Sequence, residues 1–321
     1  MEFVPYEASH GVPNIVVDGA PNPATVLALT HWPGYPQPAG LEHDLSAGMA
    51  MRYLDTPPPH APAEAVTNNH FDQDGLVATF ALVDPAAARA HRELLLDLAA
   101  AGDFGTYRDR RAARASMVVS RMAEAGYEDY AEFCGRCYRE ALPQVLDMLL
   151  DGERYRDLWE DEDAELTRSE RALATGAVRI TELPEHDLAV ATATEEWIRS
   201  RGHRFGGREF EGVHPMALNN ATRCVRVLFA HDRRYRYTDR YETWVQYVTR
   251  PLPRRRDLRP LAAALTALET AGAVWTAEAP DALTPTLDHT GESSLAPAAV
   301  TAEILAHLAT APPAWDPYTP A

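Results

Sequence analysis

The stretch "VTNNHFDQDGLVATFAL" (Val66–Leu82) opens as a short apolar strand and closes as an apolar helix, with His70, Asp72, Asp74 and Gly75 between them. A strand that turns into a helix through a polar corner is half of a βαβ unit, so this stretch decides the fold class. The residues before it agree. "PNIVVDG" (13–19), "TVLALTH" (25–31) and "AEAVTNN" (63–69) are short apolar or β-branched runs bounded by Gly, Pro and Asn, and "LEHDLSAGMAMRYL" (41–54) has helical spacing. The alternation predicts an α/β fold on a parallel or mixed sheet.

Further along, "PAAARAHRELLLDLAAAG" and "YAEFCGRCYREALPQVLDMLL" are strong helix formers with apolar spacing near 3.6, so residues from about 85 to 173 read as a helical insertion. Strands are expected at 177–183, 187–193 and 241–249 ("YETWVQYVT"), and helices at 256–272 and in "VTAEILAHLAT". These place an N-terminal α/β domain over 1–195, including the insertion, and a smaller α+β domain over 196–321.

Composition narrows the chemistry. The net charge of −17 argues against general nucleic-acid binding. All 30 basic residues are arginine, which excludes a Walker-type phosphate loop and Schiff-base chemistry, both of which need lysine. Residues 201–260 hold 14 arginines against 6 acidic residues, a localised basic segment suited to a small anion. No apolar run approaches a membrane span and the N-terminus lacks a signal-peptide pattern, so a cytoplasmic protein with no membrane partner is expected. Cys134, Cys137 and Cys224 are too few for a disulfide framework. No G-x-S-x-G, H-E-x-x-H or G-x-G-x-x-G signature occurs, and nothing fixes the oligomeric state.

The polar corner itself has two readings. In the simpler one, Asp74 caps the helix, Gly75 tightens the turn and His70 bonds the backbone. In the other, His70, Asp72 and Asp74 alternate as in extended chain and point one way, one imidazole and two carboxylates that suit Mn²⁺, Mg²⁺ or Zn²⁺. Two bare carboxylates so close repel each other, and a cation resolves that conflict. "THWPG" follows a neighbouring strand, so His31 and His70 can share the crevice at the strand carboxyl ends.

"HFDQDGLVATFA" resembles motif I of the DHH phosphoesterase superfamily, in which H-x-D-x-D-G follows a first strand and opens a helix. The resemblance covers about 20 residues. It implies a DHH-like core with a dinuclear Mn²⁺ or Mg²⁺ site that activates water against a phosphate ester or anhydride, with His70, Asp72 and Asp74 as catalytic metal ligands. The Asp-His-His run is absent, and Glu185-His186-Asp187 is its nearest echo. His31, Asp103, His186 and Asp187 are therefore the candidates to complete the shell. A C-terminal domain that presents basic residues makes Arg240, Arg250 and Arg255 candidates for the substrate, together with His31, His214 and Asn219. The function expected is a metal-dependent hydrolase of a small phosphorylated or nucleotide substrate; the alternative is a non-catalytic ligand-binding or assembly protein with a degenerate site. Through "THWPG", "NNHFDQDG", "YETWVQY" and "PRRRDLRPLAAAL", the whole chain also resembles an uncharacterised family of bacterial proteins.

Overall fold

Asn14 is where the first sheet is tied together. Its Nδ2 donates to the carbonyls of Ser9 and Val12 and to Asn22 Oδ1, and its Oδ1 accepts from the Thr25 hydroxyl. This network lets β2 (Asn14–Val17) and β3 (Thr25–Leu29) pair in parallel although only residues 18–24 join them. Parallel neighbours normally need a crossover of about a dozen residues or more; two such short strands need less. β1 (Glu2–Phe3) and β4 (Ala65–Thr67) complete an all-parallel sheet in the order β1-β4-β2-β3. Ile15, Val16 and Val17 are fully buried, so β2 is covered on both faces, as an interior parallel strand requires. The structure, a computed structural model, describes residues 1–124, 128–193, 203–205, 208–210 and 213–319.

α1 (Ser46–Asp55) links β3 to β4, and α2 (Gln73–Val83) follows β4. Every residue of α2 from Gln73 to Leu82 is buried. A helix apolar on all sides needs cover on all sides. The sheet and α1 supply part of it, and α4 (Arg92–Asp103) most of the rest, after the short α3 (Pro85–Ala90). α5 (Arg110–Ala123), α6 (Tyr130–Ala141), α7 (Val145–Leu150) and α8 (Arg156–Thr175) complete the helical stretch that the sequence predicts. Asp84, Asp109 and Asp129 cap α3, α5 and α6 by accepting backbone N–H bonds.

The chain divides into two compact units, 1–164 with 246–250, and 165–245 with 251–319. The second is built on a mixed sheet. β5 (Val178–Leu183) and β6 (Leu188–Ala193) form a hairpin, which the 1–195 boundary would put in the first domain. They lie instead in the second unit because β6 pairs in parallel with β9 (Arg226–His231). After the short β7 (His203–Phe205), β8 (Arg208–Phe210) and α9 (Pro215–Ala221), β9 forms a hairpin with β10 (Arg234–Asp239) through Asp232, at φ +50°. α10 (Arg259–Leu268), β11 (Trp275–Ala277), β12 (Thr286–His289) and α11 (Pro297–Thr310) follow, and the sheet order is β11-β12-β10-β9-β6-β5. Its core joins Leu228, Tyr237 and Leu287 to Leu261, Leu265, Val300 and Ile304.

The strand expected at 241–249 is not formed. Tyr241–Thr243 is a 3₁₀ turn, and the N–H groups of Gln246, Val248 and Thr249 go to the His31 carbonyl and the Asp44 carboxylate rather than to a ladder. No helix among the described residues is long and apolar enough to cross a membrane. Leu76 is fully buried at the start of α2. Leu76→Ala is expected to lower stability by about 2–5 kcal/mol, read as a drop in the denaturant midpoint with an unchanged m-value.

Candidate metal centre

Three strand ends build the centre. β2 ends at Val17 and is followed by Asp18, β3 leads through Thr30 to His31, and β4 leads through Asn68 and Asn69 to His70. Because β2 lies between β4 and β3, Asp18 falls between the two histidines. Asp18 Oδ1 is 3.2 Å from His31 Nε2, and Asp18 Oδ2 is 3.3 Å from His70 Nε2. The backbone of Asp18 is left-handed, with φ +47°, an unusual state for a non-glycine residue and one that clusters at functional sites. Gly19 follows because a Cβ there would lie 2.2 Å from Asn69 Oδ1.

The donors form two sets that share Asp18. Asp18, His70 and Asp72 make one and Asp18, His31 and Asp74 the other, and within each set the ligand atoms lie within 4.8 Å of one another. Buried Asp and His groups of this kind can hold a metal ion. Asp103, the last residue of α4, brings Oδ2 to 3.5 Å from His31 Nε2. The cluster opens on one side only: His70 and Asp72 side chains are 17% and 30% exposed, while Asp18, His31 and Asp74 are at 0–1%.

Each ligand is held from behind. A carbonyl can only accept, so the 2.6 Å contact of His31 Nδ1 with the Asp44 carbonyl puts the hydrogen on Nδ1. Neutral His31 then turns the Nε2 lone pair toward Asp18, Asp74 and Asp103, an arrangement that needs a proton or a cation between them. Asp44 is itself fixed by the 246–250 segment, whose Val248 and Thr249 N–H groups and Thr249 hydroxyl bind its carboxylate. Ser46 donates its hydroxyl to Asp18 Oδ1 at 2.8 Å and accepts from the His31 N–H. Asp74 takes the N–H groups of Ser46 and Ala47, so it caps α1 from the neighbouring α2, where the local Leu45 has no capping side chain. Asn68 Oδ1 accepts the His70 N–H.

The charges are strongly coupled. Burial pushes Asp74 up and the Asp18 charge adds to it, to about 8. Burial pulls His31 down, but the Asp18 hydrogen bond and the charges of Asp18 and Asp74 outweigh it and lift the imidazole to about 9. Burial also opposes the charge on His70, and Asp72 and Asp18 outweigh it, leaving the ring well above its usual range. Burial raises Asp18, yet the two histidines hold it well below the usual carboxylate range.

Several sequence expectations change. Asp72, not Asp74, is the N-cap of α2, through Gly75 N–H to Asp72 Oδ1 at 2.8 Å. His70, Asp72 and Asp74 do not share one face, because Asp74 is already helical and serves the other donor set. Gly75 is required by close approach and not by the turn, since a Cβ would lie 2.3 Å from Asn68 Nδ2 and 2.6 Å from the Tyr138 hydroxyl. His31 lies 3.2 Å from Asp18 and 3.5 Å from Asp103, which places both shell candidates, His31 and Asp103, at the cluster. Asp18 was missed, although "VVDG" has the strand-end position that drew attention to His31 and His70.

His186 and Asp187 belong to neither donor set. In the second unit the His186 carbonyl accepts from Arg226, and Asp187 Oδ1 accepts the Val225 N–H at a left-handed corner. His214 caps α9 through Nδ1, and the Asn219 carbonyl accepts from Arg240. Arg240 is buried against Glu242 and the Thr222 and Cys224 carbonyls. Arg255, 1% exposed, donates to the Thr243 hydroxyl and the carbonyls of Pro280, Ala282, Leu283 and Arg240. Both guanidinium groups brace the second unit's own backbone. Arg250 ends the 246–250 segment of the first unit, half-buried. Cys134 and Cys137 are buried on α6, and burial pushes the Cys137 thiol up to about 11, which suits inert packing.

Comparison with known proteins follows the geometry only part of the way. The profile of a family of unknown function, DUF6687, matches residues 1–319, and the chain belongs to that family. No DHH-superfamily relationship is shown by it. No curated protein and no solved structure matches the chain.

Two outcomes follow from the charges and the buried arginine. Folded His31 and Asp74 retain protons above the values of unfolded chain, about 6.5 and 3.9. The native metal-free protein therefore binds more protons than the unfolded one and loses stability as pH rises, from about 3.9 through 8 on account of Asp74 and from about 6.5 through 9 on account of His31. Thermal melts in EDTA should fall across that window, and excess Mn²⁺ should restore them with release of protons. Arg255→Met should destabilise the second unit by about 3–5 kcal/mol, because the carbonyls and nearby Asp239 lose a buried charge partner. A melting temperature equal to that of the unaltered protein would return Arg255 to the list of substrate residues.

Proposed function

We propose that this DUF6687 protein is a metal-dependent hydrolase that cleaves phosphate esters of small molecules with Mn²⁺ or Mg²⁺. The observation that carries the reading is Asp18, whose two oxygens face two different imidazoles and join two donor sets into one centre. The burial of the shared carboxylate supports the fit: Asp18 Oδ2 is shut off from solvent and faces His70 Nε2 at 3.3 Å. The mixed imidazole and carboxylate donors suit a hard divalent cation. Such a cation, when bound, supplies Lewis-acid polarisation of phosphate and acidification of water.

The chain's own groups do the rest. Asp18, His31, Asp74 and Asp103 close the rear of the centre to solvent, and Ser46 and the Asp44 carbonyl hold their orientation. The ester approaches from the half-open His70–Asp72 side. A water oxygen bonds to phosphorus, the ester P–O bond breaks, and the alcohol leaves with a proton. Arg240 and Arg255 are engaged within the second unit, so this reading assigns neither of them to the anion. The DHH-like motif supports the same chemistry by resemblance.

Purified full-length protein should bind Mn²⁺ by calorimetry and release phosphate from p-nitrophenyl phosphate. Asp18→Asn should weaken Mn²⁺ binding by more than about 100-fold, beyond the range that outer partners reach, whereas Ser46→Ala should weaken it by about 10–100-fold. Mn²⁺ binding with no turnover of any phosphate ester would favour the degenerate-site alternative. Absence of Mn²⁺ binding would sink the hydrolase reading and leave the non-catalytic alternative.

A further inference from the structure

His31 is the donor carried by the least regular part of the first unit. Residues 30–45, between β3 and α1, form neither helix nor strand. A loop longer than about 12–15 residues without structure of its own is usually functional. This one is clamped from far along the chain, since Val248 is 204 residues from the Asp44 that it holds. The Gln246 N–H donates to the His31 carbonyl at 2.8 Å. The buried Gln246 side chain donates through Nε2 to the carbonyls of Trp32 and Tyr35, and the Gln246 carbonyl accepts from Gln37 Nε2. Val248 and Thr249 give their N–H groups, and Thr249 its hydroxyl, to the Asp44 carboxylate at 2.6–3.0 Å. Asp44 is buried, and its carbonyl is the 2.6 Å partner of His31 Nδ1. The strap 246–250 thus grips the loop at both His31 and Asp44.

A metal ligand must be held within about 0.5 Å and 10–20° of its productive geometry. For a histidine, the partner of the ring nitrogen that faces away from the metal sets that orientation. His31 is held at its N–H by Ser46, at its carbonyl by Gln246 and at Nδ1 by Asp44. The strap supplies the second hold directly and the third through Asp44. Val248 and Thr249 are themselves exposed, so their hydrogen bonds to Asp44 rather than burial keep this end of the strap in place. We infer that Gln246 and Thr249 are positioning residues of the metal centre: through them the strap sets the orientation of the His31 imidazole, and with it the affinity of the Asp18, His31 and Asp74 donor set for a divalent cation. Neither residue reaches the donor atoms. This role rests on the metal-binding reading of the Asp/His centre and extends the centre to a segment that supplies no ligand.

The test reads metal binding, so that it stands apart from turnover. Metal-free full-length protein is titrated with Mn²⁺ and with Co²⁺, whose visible absorption follows the placement of its ligands. Thr249→Val keeps the side-chain shape and removes the hydroxyl. Gln246→Met removes the amide that holds the Trp32 and Tyr35 carbonyls. Each should weaken binding of both ions by about tenfold, the low end for outer partners of a ligand, and should shift the Co²⁺ spectrum. Thr249→Ser should keep both at the values of the unaltered protein. Val248→Ala should change neither, because Val248 serves Asp44 through its backbone N–H. A purely structural strap would lower the melting temperature in EDTA and leave Co²⁺ affinity and spectrum untouched; that result in Thr249→Val overturns the inference, and so does a Thr249→Ser protein as weak as Thr249→Val. Absence of Co²⁺ and Mn²⁺ binding by the unaltered protein overturns it together with the metal-binding reading. Failure of the hydrolase reading alone leaves every one of these outcomes in place.

Discussion

The Asp18 carboxylate between two imidazoles is the interaction on which the first unit's centre depends. One oxygen faces His31 and the other His70, at the end of a strand buried on both faces. Asp18, Asp74 and Asp103 converge on His31, and Asp72 adds to the charge at His70. In a water-poor interior such a set is stable only with positive charge among the oxygens, from protons on the histidines and Asp74 or from a cation. The raised His31 and Asp74 and the lowered Asp18 express that requirement in the metal-free chain.

The surrounding structure is arranged so that this charge cannot relax away. Asp74 is fixed by the first N–H groups of α1, His31 by the Asp44 carbonyl, and Asp44 by Val248 and Thr249. Ser46 touches the Asp18 carboxylate, the Asp74 carboxylate and the His31 backbone. Removing any one member leaves a buried polar group without its partner, which is costlier than the loss of the bond itself. The segment at 246–250 shows the same priority. Its sequence alternates like a strand, but its donors are taken by the site loop.

The arginines of the C-terminal half illustrate the opposite outcome. Their density in sequence suggests an anion site, yet Arg240 and Arg255 are buried and saturated by carbonyls and Glu242. Arg226 likewise lies 3.5 Å from the buried Asp239. In a chain without lysine, arginine also has to serve as internal scaffold, for which its planar fork of donors is well suited. Local charge density alone does not distinguish a guanidinium that awaits a ligand from one that ties loops together.

By itself the sequence determined the α/β class, the helical stretch after α2, and the strand-to-helix corner that carries His70, Asp72 and Asp74. These follow from local periodicity and turn chemistry, which act over a few residues. It also placed His31 and Asp103 among the candidates. Only the tertiary structure decided that β2 lies between β3 and β4, and so that Asp18 joins the two donor sets. It also moved β5 and β6 to the second sheet, through a pairing with β9 across a long sequence separation. Strand order and partner choice are set by contacts between distant segments, and no local pattern around "VVDG" encodes which strands will flank it.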